Sequence, residues 1–432
     1  MRQLNYFLTL YCISDKYTVE TYKNYISSFM SIGSKCLRLN PAHSTVEEAG
    51  QSVKIMKEYF KEVGDCSTLT EVCIPHTNAK PRINIPPKEL CREYKKGEII
   101  KLYKTLKENE FSGDLRHLDI SVGKKLTWGD FIGLFEIVED NEEYVTLKFN
   151  IDKKMPDTRK PVVVLDSVTK RDYSLSTRDL SLIDESIKNG ADIISCSFST
   201  DKEVIEDYLM RIKEASDKYT KNPLIILKLE ESGFVSKDNL EYLKSIKHKF
   251  NGLSISRGDL FCNEGTKAPT YESILLDFAK IENIPIRVYT LIGENWNGVF
   301  SRNDSSCLYS YIKRGVDMIG LSDESIYLDP FTVKCMIDEI EDIAYNCLNF
   351  ALDSNSEGVL YTEASRSSRL ISALTEKELL DETGYNNIKF LVPIKFDGVF
   401  RNKDLYINCF DNVEDYYKYC LFKGTIMKNN SK

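Results

Sequence analysis

Two short triplets, Lys228-Leu-Glu230 and Arg257-Gly-Asp259, hold residue types able to do charge chemistry together. Residues i and i+2 of a strand project to one side, so Lys228 and Glu230 face the same space. Either triplet alone is an ordinary ion pair or turn. Together, Glu230 and Asp259 from neighbouring strand ends can hold one hard divalent cation, Mg2+ or Mn2+, while the lysine leaves room for a phosphate. Arg38 adds a planar fork for an anion. The residues therefore point to a Mg2+-dependent site for a small phosphorylated or carboxylated substrate. A zinc or nucleophile site is disfavoured, because the 12 cysteines form no Cys-x-x-Cys pair and no Cys–His pair converges at strand ends. Those cysteines read as reduced, mostly buried thiols of a cytoplasmic protein. Of the histidines, His43 and His76 follow strand ends, where a surface hydrogen-bonding role is expected for each.

The elements that must position these residues alternate. Helix-period stretches end in glycine and lead into short apolar strands, as in Gly190-Ala-Asp-Ile-Ile-Ser195 and Gly315-Val-Asp-Met-Ile-Gly-Leu321. Strands are expected near 4–11, 36–40, 70–75, 192–198, 223–230, 252–256, 285–290 and 316–321. Helices fall near 17–31, 45–62, 177–189, 201–217, 238–248, 270–282, 304–314 and 331–346. Eight such strands close a (β/α)8 TIM barrel, whose active residues sit at the C-terminal strand ends. Continuous apolar strands suggest burial on both faces. The spacing breaks once, between Thr77 and Thr177, and that gap is too long for a loop. Its turns and the alternating Glu143-Tyr-Val-Thr-Leu-Lys-Phe149 read as a small β-barrel domain inserted after strand three. The expected organisation is a catalytic barrel over 1–78 and 166–330, a β lid over 79–165 and a reduced α/β C-terminal domain over 331–432.

Composition narrows the partners. The net charge of −8 offers no general attraction to nucleic acid or anionic membrane, so neither is expected as a partner. No apolar run reaches the length of a membrane-spanning helix. The apolar opening, Leu4 to Ile13, reads as a buried strand and not a signal peptide.

The order Arg38-Leu-Asn-Pro-Ala-His43, an inserted β domain, Lys228-Leu-Glu230, Ser256-Arg-Gly-Asp-Leu260 and Thr290 resembles pyruvate kinase. The likeness runs from about Leu8 to Glu324, with more in Val359 to Ser372. It implies transfer of a phosphoryl group from phosphoenolpyruvate to ADP, giving pyruvate and ATP. By the resemblance, Lys228, Thr290 and Arg38 would be catalytic, with Arg38 on the substrate phosphate. Gly258, Asp259, Thr290 and Ser197 would receive the rest of the substrate, and Asn40 and His43 the nucleotide. Glu230 and Asp259 would hold the metal, and Asp130 would lie in the lid. A homo-oligomer, dimer or tetramer, or a hetero-oligomer with a paralogue is implied.

The sequence departs from the family pattern on the nucleotide and monovalent-cation side. Ala42 replaces a serine, His76 an aspartate, Thr200 an arginine and Phe261 a glycine, and the stretch Thr77 to Arg82 is altered. K+ is therefore expected to be dispensable. Glu363 and Ala364 stand in a loop that in the family cradles a sugar phosphate, so no such effector is expected to bind. Three readings follow: a working divergent pyruvate kinase, a weak or inactive homologue serving as a structural or regulatory subunit, and a metal-dependent aldolase-like barrel acting on pyruvate or a related oxoacid.

Overall fold

The computed structural model describes residues 6–353 apart from 11, 15–16, 33, 35, 66, 80–81, 114, 116–119, 129–132, 156–159, 166–172, 290–297, 315 and 322–327. The first half-barrel is β1 (Tyr6–Leu10), α1 (Val19–Ser31), β2 (Cys36–Leu39), α2 (Val46–Glu62) and β3 (Leu69–Ile74). Thr45 and Glu48 close a reciprocal capping box at the start of α2, satisfying two otherwise orphan donors.

An insertion then leaves the barrel. It contains β4 (Arg82–Ile83), β5 (Glu93–Tyr94), β6 (Ile99–Tyr103), β7 (Lys125–Trp128), β8 (Gly133–Asp140), β9 (Tyr144–Phe149), β10 (Lys153–Lys154) and β11 (Lys160–Leu165). Six of these strands pair antiparallel in the order β4-β11-β7-β8-β9-β6. The outer strands of that order meet through one segment. Ser112 bridges Asn84 on one side and Tyr103 on the other, with Asn84 N donating to Ser112 O at 2.6 Å. The insertion has its own apolar core, including Ile83, Leu102, Leu126, Phe135, Leu147 and Phe149, with Phe149 stacked on Tyr94 at 4.5 Å.

The chain returns through α3 (Thr177–Lys188), β12 (Ile193–Cys196), α4 (Lys202–Tyr219), β13 (Leu224–Leu229), α5 (Lys237–Ser245), β14 (Gly252–Ser256), α6 (Arg257–Glu264), α7 (Ala268–Ile281), β15 (Ile286–Tyr289), α8 (Arg302–Lys313), β16 (Met318–Gly320) and α9 (Pro330–Asp353). The eight barrel strands pair in parallel, in the order β1-β16-β15-β14-β13-β12-β3-β2, and β2 pairs with β1. This is an eight-stranded parallel barrel, compatible with the (β/α)8 arrangement. No helix among the described residues is long and apolar enough to cross a membrane. Val333, Met336, Ile337 and Ile340 of α9 lie in the barrel's core, so the helix at which the C-terminal unit was expected to begin packs with the barrel.

Alternation along each strand sorts the two faces. Leu37, Leu39, Val72, Ile74, Leu227, Leu229, Leu253, Ile255 and Val288 point out into the core shared with the helices. The residues between them point in, and both faces are buried as expected, although the inner face also carries polar and charged side chains. A lower interior layer is apolar, with Cys36, Leu69, Ile193, Ile226 and Met318. Above it lies a charged layer. The carboxylate of Glu71 accepts from both terminal nitrogens of Arg287 at 2.7 and 2.6 Å, and also from the Ser195 hydroxyl and from Tyr289 Oη at 3.1 Å. Glu71 and Arg287 are both fully buried. A buried charge persists only when paired and hydrogen-bonded, and this cluster meets both conditions.

Candidate active site at the barrel mouth

The uppermost interior layer gathers residues from most of the barrel strands. Lys228, on the inner face of β13, is 6% exposed and spends all three ammonium protons on protein groups. Nζ donates to Glu230 Oε1 at 2.8 Å, to Ser197 Oγ at 3.0 Å and to Cys73 Sγ at 3.4 Å. Burial alone would lower its pKa. The Cys73 sulfur and the Glu230 carboxylate outweigh that, and Lys228 stays above its ordinary value, with Arg38 and Asp259 acting in opposite directions on the same charge. Glu230 also accepts from the backbone N–H of Phe198 at 2.7 Å through its other oxygen. That N–H is aimed by a left-handed backbone at Phe198, with φ of 50°. A non-glycine residue held there marks local strain of the kind found at binding sites.

Arg38 approaches from β2. Its Nε and Nη2 donate to Thr9 Oγ1 at 3.1 and 2.9 Å, and its guanidinium carbon sits 4.4 Å from the centroid of the Tyr289 ring. The same ring lies 5.0 Å from the Arg287 guanidinium and 5.8 Å from Lys228 Nζ. Three cations thus surround one aromatic, held from beneath by its hydroxyl on Glu71. Burial pushes the Tyr289 phenol well above its ordinary pKa, keeping it neutral.

The expected site residues separate into groups. Arg38, Ser197, Lys228 and Glu230 share the mouth, and Gly258 and Asp259 occupy the first turn of α6, directly above β14. Asn40 caps the 3-10 turn Pro41–His43, its Oδ1 accepting from Ala42 N at 3.3 Å. Thr290 and Asp130 lie outside the described residues, as does everything beyond residue 353, including Glu363 and Ala364.

His76 is corrected. A surface role was expected, yet the residue is fully buried, its Nε2 3.1 Å from Tyr173 O and its ring 5.8 Å from that of Tyr208. Burial holds its pKa below the usual imidazole value. The next residue, Thr77, ties the loop after β3 to α3, its N–H and hydroxyl donating to Asp179 at 2.9 and 3.0 Å. Phe261 packs on the barrel core beneath Arg257, whose guanidinium carbon lies 5.0 Å from its ring. Thr200 is buried, and its carbonyl accepts from Asn239.

Sequence reading missed Glu71, Cys73, Arg287, Tyr289 and the helix α6. The available signal was alternation. In Leu69-Thr-Glu-Val-Cys-Ile74 the residues Glu71 and Cys73, and in Ile286-Arg-Val-Tyr289 the residues Arg287 and Tyr289, stand two apart and so share one face, although Thr70 interrupts the pattern.

Among the described residues no group of three or more His, Cys, Asp or Glu gathers to hold a metal. Glu230 and Asp259 nevertheless suit Mg2+, which is commonly held by one or two carboxylates plus water and substrate phosphate. Each carboxylate oxygen has two lone pairs, so Glu230 keeps acceptor capacity beyond its bonds to Lys228 and Phe198. The buried hydroxyl of Ser256, between these carboxylates in sequence and on the inner face of β14, has no partner among the described residues. The donor set is all oxygen and therefore fits a hard cation. Neither a scan against protein-family models nor a search of curated proteins finds a match for the chain.

Proposed function

We propose that the barrel mouth is the active site of a Mg2+-dependent phosphotransferase of the pyruvate kinase type, moving the phosphoryl group of phosphoenolpyruvate to ADP. The observation that carries this reading is the convergence of Arg38, Lys228 and Glu230, with Asp259 acting on the Lys228 charge, at the C-terminal end of one parallel barrel. Arg38 would bind the substrate phosphate through its fork. Lys228 would neutralise charge on the phosphoryl group in flight and on the enolate left when the phosphorus–oxygen bond breaks. A proton added to the methylene carbon then gives pyruvate. A divalent cation on Glu230 and Asp259 would supply further positive charge to the phosphate oxygens. The insertion after β3 would close over the mouth as a small β-barrel lid, excluding water. The test is a coupled assay for pyruvate from phosphoenolpyruvate and ADP. Turnover lost in Lys228→Met supports the reading, and absence of turnover in the wild-type chain removes it.

One observation favours a second reading, a homologue that binds without turnover. The Tyr289 ring lies against Arg38 and close to Lys228, in the space an anion between those cations would use. Calorimetric binding of phosphoenolpyruvate with no turnover would select it.

A further inference from the structure

We infer that Ser256 is an additional oxygen ligand for the divalent cation that Glu230 and Asp259 hold. The inference rests on that cation reading and extends it by one residue. Serine at a helix N-cap ordinarily accepts a bond from the backbone N–H of the first turn. Ser256 occupies the N-cap of α6 and makes no such bond. Its hydroxyl is nonetheless shut away from water, at 6% exposure, and has no partner among the described residues. A buried hydroxyl left unpaired is rare, and its commonest explanation is a missing water, ion or ligand.

The register says what lies around it. Leu253 and Ile255 point outward into the helix-facing core, so Ser254 and Ser256 point into the barrel. Ser256 pairs with Tyr289 on β15. On the other side Ile255 pairs with Leu229, and one step beyond that pair stand Ser256 and Glu230. Asp259 follows three residues later on the first turn of α6. With one carboxylate on the neighbouring strand end and another three residues on in the chain, an anion is disfavoured on this side of the mouth and drawn to Arg38 and Lys228. The group that suits two carboxylates and a neutral oxygen is a hard cation.

Ser254 supplies the control. It is also fully buried with no partner among the described residues, but it lies two residues earlier on β14, farther from the strand's C-terminal end. The experiment is Mn2+ binding to the full chain, followed by electron paramagnetic resonance in the absence of substrate, for the wild type, Ser256→Ala, Ser256→Thr and Ser254→Ala. Thermal midpoints without metal check that each variant folds, and Ser256→Ala should match the wild type because it loses no bond. Ser256→Ala should weaken Mn2+ about 10-fold, while Ser256→Thr, which keeps the oxygen, and Ser254→Ala stay within about twofold. Wild-type affinity in Ser256→Ala, or equal weakening in Ser254→Ala, overturns the inference and leaves the proposed function standing. A wild-type chain that fails to bind Mn2+ removes both.

Discussion

Replacing Arg287 by methionine tests the charged layer that supports the mouth. The substitution keeps most of the side chain's volume but removes the guanidinium, so Glu71 loses bonds of 2.7 and 2.6 Å and keeps only neutral donors, Ser195 and Tyr289 among them. Breaking a fully buried pair from one side costs about 3–5 kcal/mol, because an uncompensated charge remains in the interior. The pH dependence should change sign as well. In the wild type, burial would raise the Glu71 carboxyl, but Arg287 outweighs it and holds the group at about 2, below its ordinary 4.5. That stability is present above 4.5 and is lost as pH falls toward 2. Without Arg287, burial is opposed only by the more distant Arg38 and by neutral donors such as Ser195, and the folded-state pKa should rise above the unfolded one. The variant should then gain stability as pH falls from neutrality toward 4.5, where the wild type gains none from this group. Urea unfolding across that range measures both effects. The double variant Glu71→Leu/Arg287→Met should recover most of the loss, since replacing a whole buried pair by apolar groups is often neutral. A cost for Arg287→Met below about 1 kcal/mol, or a double variant no more stable than the single one, would refute the assignment of a charged, paired layer.

Three further outcomes are expected. Lys228→Met should lower turnover by about 10²–10³-fold with a smaller effect on substrate affinity, because the charge it meets develops during transfer, whereas Glu230→Gln should weaken Mg2+ binding; steady-state kinetics at varied Mg2+ separate the two. His76, held by burial below its ordinary 6.5, contributes stability that is present above pH 6.5 and lost as pH falls below it, so His76→Asn, which tolerates the left-handed backbone there, should flatten the unfolding free energy below pH 6.5. Gly233→Ala would place a methyl 2.8 Å from the Thr200 carbonyl oxygen, a backbone atom that cannot swing aside. That crowding should cost about 1–3 kcal/mol, read as a lowered thermal midpoint.

Much of the barrel was legible because its signals are local. The stretch 252–256 is the strand expected, and the helix at Thr177 begins where Ser176 and Asp179 form a capping box. The helix α6 was not legible for a local reason too: it follows β14 with no intervening residue, and its N-cap serine makes no capping bond. At the mouth, Lys228 and Glu230 could be paired in advance because i and i+2 share a face, and the structure joins them at 2.8 Å. Glu71 and Arg287 could not, since 216 residues separate them and either charge alone is unremarkable. Only barrel closure, which turns both strands inward at one height, makes them partners.

That long-range pairing bears on the mouth itself. Tyr289 reaches down to Glu71 with its hydroxyl and up to Arg38 with its ring, at 3.1 and 4.4 Å. The rigid aromatic therefore transmits the position of the buried pair to the guanidinium that would meet an anion. A cation on an aromatic face is attracted to it without spending its N–H donors, so the Tyr289 ring helps hold Arg38 while the guanidinium donates to Thr9. Lys228 differs, because its three donors are already used. An anion that recruits Lys228 must displace Ser197 or Cys73, the neutral partners, before Glu230, since the ionic contact is the strongest of the three. The mouth thus holds one cation on an aromatic face and one that must exchange partners, so an entering anion displaces a neutral bond of Lys228 before it meets that charge.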